Sequence, residues 1–273
     1  MTTSRFPLVI EPDQLQAQLD APELLIVDLC KPDTYAKAHV PGAVHLGYGQ
    51  IVAVRQPVMG LLPDADSLSQ LFSHLGLTPE THVVAYDEEG GGAAARLLWT
   101  LDAIGHNRAS LLNGGLHAWL NEGHPIEDTP MQPSPSKYRA HIEPAAIADQ
   151  AFILDHLNDD SVALLDSRSP EEYRGERKFA ARAGRIPGAV NLDWVNVMDK
   201  TRHLRLKPEA ELRALLEQRG ITADKTVITY CQSHHRSALT YFVLKYLGYP
   251  RVKGYPGSWS DWGNSEDTPI ETE

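Results

Sequence analysis

Val227-Ile-Thr-Tyr-Cys231-Gln-Ser-His-His-Arg236-Ser-Ala-Leu-Thr-Tyr-Phe-Val-Leu-Lys-Tyr-Leu-Gly248 divides into three parts. Val227 to Tyr230 are β-branched or aromatic, which suits a short buried strand. From Ala238 the apolar residues Leu239, Phe242, Val243, Tyr246 and Leu247 recur at helical spacing, and Gly248 supplies a stop. The loop between them is polar and begins with a cysteine. A thiol at a helix N-terminus meets free backbone N–H groups and the positive end of the dipole, both of which favour an anion. His234, His235 and Arg236 add positive or potentially positive charge. Such surroundings lower a thiol pKa, so Cys231 is the candidate nucleophile.

The rest of the chain reads as two related halves. Leu24-Leu-Ile-Val-Asp28, Tyr35 and His39-Val-Pro-Gly-Ala-Val-His-Leu46 match Ala163-Leu-Leu-Asp166, Tyr173 and Arg185-Ile-Pro-Gly-Ala-Val-Asn-Leu192. Thr81 to Asp87 parallels Lys225 to Cys231, and Leu112 to Trp119 parallels Tyr255 to Trp262. The second copy carries an insertion around Gly175 to Arg182. Self-similarity of this length means a duplicated domain. Boundaries fall at 1–127 and 141–273, joined by a linker at 128–140 in which Pro130, Pro133 and Pro135 keep the chain semi-extended.

Strand patterns at 24–28, 82–86, 109–112, 162–166, 226–230 and 251–254 alternate with helical patterns at 68–75, 93–104, 209–219 and 239–247. That alternation predicts an α/β fold, with a parallel sheet flanked by helices in each half. Reaction centres of such sheets sit at the carboxyl ends of strands, where Cys231 falls. In the first copy that position starts Asp87-Glu-Glu-Gly-Gly-Gly92, which has no nucleophile and three carboxylates. It reads as a degenerate site with a structural role, covering one side of the second domain.

A length of 273 residues favours two domains over one. A net charge of −11 excludes general nucleic-acid binding, which needs a basic stripe. Two cysteines make no disulfide framework and suit a reducing compartment. Met1 to Ile10 lacks the apolar core of a signal peptide, and no run approaches the roughly 20 apolar residues that span a bilayer. A soluble cytoplasmic protein without membrane contact is expected. A monomer is expected too, because the halves can bury a shared face.

With these motifs, together with Asp166-Ser-Arg168, Glu172-Tyr173 and Gly257-Ser-Trp-Ser-Asp-Trp262, the chain resembles the two-domain rhodaneses over about residues 5–271. Its loop is most similar to the bacterial type with two histidines and an arginine after the cysteine. The resemblance implies two tandem rhodanese-like domains, the second catalytic. It implies a sulfurtransferase that takes sulfur from thiosulfate and passes it to cyanide, a dithiol or a thiol protein. The sulfur would be held as a persulfide on Cys231, with no other cofactor and no metal. The backbone N–H groups of residues 232 to 236 would converge on it, and Arg236 would hold the loop or the donor's anionic group. Thiosulfate-using members carry a basic pair just after the cysteine, where this chain has Gln232 and Ser233. They also carry a substrate-binding arginine before the tyrosine matched by Tyr173. Here that residue is Glu172, with Arg174 as a candidate substitute.

Other readings remain beside these. A 3-mercaptopyruvate sulfurtransferase or a persulfide carrier for biosynthesis would use the same cysteine. Cysteine phosphatases and arsenate reductases have a wider loop than Gln232-Ser-His-His235, so phosphate should fit poorly. Cys30, without a basic neighbour at loop spacing, reads as an inert structural thiol. His234 and His235 lack the further ligands of a closed zinc site and read as loop residues whose backbone matters as much as the imidazole. Trp194 is the tryptophan best placed to line the pocket. Asp28 and Asp166 read as loop anchors.

Overall fold

The computed structural model describes residues 6–272; the Met1–Arg5 part of the leader reading lies outside them. The chain forms two compact units. The first contains the chain up to Ile51, Pro63–Glu143 and Asp199–Leu206, and the second contains Val52–Leu62, Pro144–Met198 and Lys207–Glu273.

The first unit holds a parallel sheet whose strands run in the order Val9–Ile10, Ala109–Leu112, His82–Tyr86, Leu24–Asp28, Val44–His45. His82–Tyr86 is buried at every position, as the inner strand of a sheet covered on both faces must be. Ile26, Val84, Tyr86, Leu112 and Trp119 form its core.

The second unit repeats the plan with Val252–Gly254, Thr226–Tyr230, Val162–Asp166 and Val190–Asn191, all parallel. A bridge from Ile147 to Gly254 stands where Val9–Ile10 stands in the first sheet. Ile228, Tyr230, Ile186, Trp259 and Trp262 make its core. Its helix Arg236–Tyr246 is buried continuously from Ser237 to Leu244. Leu239, Phe242, Val243 and Leu244 supply apolar surface on several sides, and the buried Thr240 hydroxyl is satisfied by the Ser237 carbonyl. The apolar spacing alone places its start near Leu239, but the chain is helical from Arg236. The polar residues Arg236 and Ser237 are spent on the loop beside them, so their polarity carries no helix-start signal.

The second unit also takes in a two-stranded antiparallel hairpin, Ala53–Arg55 with Val58–Leu61, from the first half of the sequence. The sequence carries no strand pattern there, since Arg55-Gln-Pro57 interrupts any alternation. Its importance lies in Gly60, which packs on the backbone of the cysteine loop at Ser233.

Candidate active site

Thr226–Tyr230 lies between Val162–Asp166 and Val252–Gly254, in register with Asp166 opposite Tyr230. Cys231 is the next residue, at the carboxyl edge, with 1% of its surface exposed. Burial alone fits a small core hydrophobe equally well. The polar groups around the sulfur decide otherwise.

The loop is drawn tight by one serine. Ser258 Oγ accepts the N–H of Cys231 (3.2 Å) and of His234 (3.1 Å), and donates to the Tyr255 carbonyl (2.7 Å). Trp259 N–H donates to the Cys231 carbonyl and Ser260 N–H to that of Gln232. Ser258 takes up φ 50° and His234 φ 53°, in the left-handed region that costs a non-glycine residue roughly 1–2 kcal/mol. Strain of this kind persists where the surroundings over-determine it, often at functional sites.

With the loop so folded, the N–H groups of Ser233 and Ser237 and the Ser237 hydroxyl reach the sulfur. Burial pushes the thiol up. The Arg236 charge and these donors outweigh it, and the thiol sits below its ordinary value. The N-cap residue of the helix Arg236–Tyr246, His235, does not cap it with its side chain. The sulfur takes an N–H of its first turn that would otherwise lack a partner. His234 is fully buried, with Nδ1 2.7 Å from Ser237 Oγ. A serine hydroxyl has one proton; if it goes to the sulfur, Nδ1 is the donor to Ser237. The imidazole is therefore engaged as well as the backbone. Of the expected 232–236 ring, the His234 N–H turns instead to Ser258, while Ser237, outside that ring, faces the sulfur.

Arg236 is gripped by Glu172. Nη1 donates to Oε2 at 2.6 Å and Nη2 to Oε1 at 2.9 Å. Glu172 is 3% exposed and caps the helix Pro170–Arg174, its Oε2 also accepting Ser169 N–H. Burial raises its carboxyl, but the hydrogen bonds and charge of Arg236 hold it below the ordinary carboxylate value. The Ser-x-x-Glu spacing of Ser169 and Glu172 is a capping-box signature legible in the sequence.

The remaining candidates lie around this centre. Gln232 Nε2 donates to the Phe179 carbonyl, tying the loop to the insertion. The Ser233 backbone packs on Gly60 of the hairpin. Trp194 meets His235 edge to face, with centroids 5.8 Å apart. Arg174 forms a two-pronged pair with Glu176 (2.7 and 3.0 Å) at the surface. Asp166 and Arg168 make a fully buried ion pair at 2.6 Å, the guanidinium lying 4.4 Å over Trp259. Asp166 Oδ1 also accepts the Arg168 N–H, the anchoring role expected of a strand-end aspartate. No group of three or more His, Cys, Asp or Glu among the described residues is arranged to hold a metal ion. No helix among them is long and apolar enough to cross a membrane.

In the first unit Asp87 stands at the position of Cys231. Its Oδ1 accepts the N–H groups of Glu89 (3.0 Å) and Gly91 (2.8 Å), and Oδ2 that of Ala94 (2.9 Å). The carboxylate thus fills its own loop, and no anion could enter without displacing it. Cys30, the counterpart of Arg168, is buried, with its N–H on Asp28 Oδ1. Burial and the neighbouring Asp28 charge push its thiol far up, which makes it inert.

A parallel α/β unit with a cysteine cradled between its central strand and the following helix is the frame that the comparisons with known proteins identify. The sequence fixes the family within it. The Rhodanese-like domain family matches residues 11–122 and 149–265, and the chain belongs to it. It is 49% identical to the thiosulfate sulfurtransferase of Azotobacter vinelandii over 97% of each chain. It is 29% identical to the 3-mercaptopyruvate sulfurtransferase of Escherichia coli K12, over 95% of this chain and 96% of that one. Among solved structures, the anaerobic ergothioneine biosynthesis enzyme from Chlorobium limicola superposes with a TM-score of 0.83. The match is at 22% identity and covers 98% of this chain and 71% of that one, so the likeness is one of fold.

Proposed function

We propose that this protein is a thiosulfate sulfurtransferase that carries sulfur as a persulfide on Cys231. The observation that carries the reading is the sulfur's setting: a thiol held below its ordinary pKa by Arg236, by Ser237 and by two backbone N–H groups. The greater likeness to a thiosulfate sulfurtransferase than to a 3-mercaptopyruvate sulfurtransferase supports thiosulfate as donor.

The Cys231 thiolate attacks the outer sulfur of thiosulfate. A new S–S bond forms, the old one breaks, and its electron pair leaves on sulfite. The product is a persulfide anion in the cradle that held the thiolate. Its charge is met by the same preorganised donors, which need no reorganisation as charge moves outward. Cyanide or a thiol then takes the terminal sulfur, and the bond's electron pair returns to Cys231 as thiolate. Thiocyanate is the product with cyanide. The covalent sulfur makes any other cofactor unnecessary. Two free cysteines in the whole chain suit a reducing, cytoplasmic setting.

Because sulfite leaves before the acceptor binds, initial rates with varied thiosulfate and cyanide should give parallel double-reciprocal lines. Intersecting lines would contradict the double displacement.

A further inference from the structure

Glu172 takes two of the five N–H donors of Arg236, one on each terminal nitrogen, and is itself fixed by the capping box with Ser169. A fork-on-fork pair of this kind fixes direction as well as distance. The glutamate is almost wholly buried, and 22% of the arginine side chain is exposed. The cation beside Cys231 therefore reaches an incoming anion as one half of an ion pair.

We propose that Glu172 is a specificity-determining positioning residue: it aims the Arg236 guanidinium and offsets its charge, so that anionic reagents bind at Cys231 only loosely. The inference rests on the sulfur-transfer reading. It accounts for how a site with an anionic donor and an anionic product can turn over. Affinity given equally to donor and leaving group lowers KM without raising kcat. A free arginine would hold sulfite as well as thiosulfate. Other charges face the pair: Arg168 from the strand-end loop acts on Glu172, Asp166 acts on Arg236, and Asp193 feels Arg236, Glu172 and Glu171. Glu172 alone among these acids is seen to bind that guanidinium, and it does so twice.

The test compares wild type, Glu172→Gln and Glu172→Asp, all with native-like melting. Cys231 is alkylated with iodoacetate, an anion, and with neutral iodoacetamide, and the modified peptide is quantified by mass spectrometry. Glu172→Gln should raise the iodoacetate-to-iodoacetamide rate ratio by about five- to tenfold and lower the pH of half-maximal alkylation by about one unit. It should also lower the KM for thiosulfate and strengthen inhibition by sulfite. Glu172→Asp, which restores the charge, should bring the ratio back to within about twofold of wild type. An unchanged or reduced ratio in folded Glu172→Gln overturns the inference. A raised ratio in a protein whose Cys231 takes no sulfur from thiosulfate would defeat the functional reading and leave control of anions by Glu172 standing.

Discussion

Gly60 lies against the peptide of Ser233, so close that a Cβ at residue 60 would fall 2.7 Å from the Ser233 carbonyl carbon. The next residues of contact are equally specific: Met59 N–H donates to Ser260 Oγ (2.9 Å), which in turn donates to the Gly257 carbonyl (2.7 Å). A hairpin far away in the sequence thus braces the cysteine loop, and its glycine sits at φ +75°.

Gly60→Ala should therefore damage the cysteine loop more than the hairpin. The left-handed backbone costs roughly 1–2 kcal/mol for any residue with a Cβ. The clash is with backbone, which cannot rotate aside, so the loop must shift as well. The expected outcome is a loss of about 2 kcal/mol or more in denaturant unfolding together with a fall in kcat. Wild-type kcat in a folded Gly60→Ala would count against the bracing.

Ser258 offers a sharper test, because one hydroxyl holds two loop N–H groups. Ser258→Ala leaves those of Cys231 and His234 without their acceptor, at about 1–3 kcal/mol each where water cannot enter. The loop should loosen and misaim the sulfur. A fall of roughly ten- to a hundredfold in kcat is expected, as misplacement on the order of 1 Å produces. Stopped-flow loading with thiosulfate reads the effect directly.

The thiol's pH dependence follows from its surroundings. The folded pKa is depressed, so the thiolate forms as pH rises through that value and persists above it. Titration of the thiolate absorbance, corrected with Cys231→Ser, should reach its midpoint below about 8.5, the ordinary cysteine value. The linked stability is fully present above the unfolded value and is lost as pH falls through the folded one. Arg236→Met removes the charge that offsets burial, and its midpoint should move above that of wild type.

Both sheets and the cysteine's place at a strand end were legible because they rest on local chemistry. β-branched runs, a glycine stop and the repeated Pro-Gly-Ala landmarks each act within a few residues. What escaped depends on partners far apart. Ser258 looked like one serine among several in Gly257-Ser-Trp-Ser, and only its position under Cys231 gives its hydroxyl three bonds. Gly60 belongs to a weak hairpin whose value is the loop it supports. Glu172 registered as a missing arginine, although the capping box with Ser169 was readable. Arg174 stood one residue along the same short helix, yet it turns to Glu176 at the surface. That the first copy has Asp87 where the second has Cys231 was legible from the repeat. That the Asp87 carboxylate satisfies three N–H groups of its own loop depends on how the loop folds back, which local sequence does not show.

Cys231 is the residue on which the transferred sulfur should ride, and intact-mass spectrometry reads that sulfur on the protein itself. The protein would be measured after treatment with excess thiosulfate and again after cyanide, beside Cys231→Ser and Cys30→Ser. Wild type and Cys30→Ser should each gain one sulfur atom and lose it to cyanide, while Cys231→Ser gains none. Sulfur retained by Cys231→Ser, or a wild type that thiosulfate leaves unchanged, would rule out sulfur transfer from thiosulfate through Cys231.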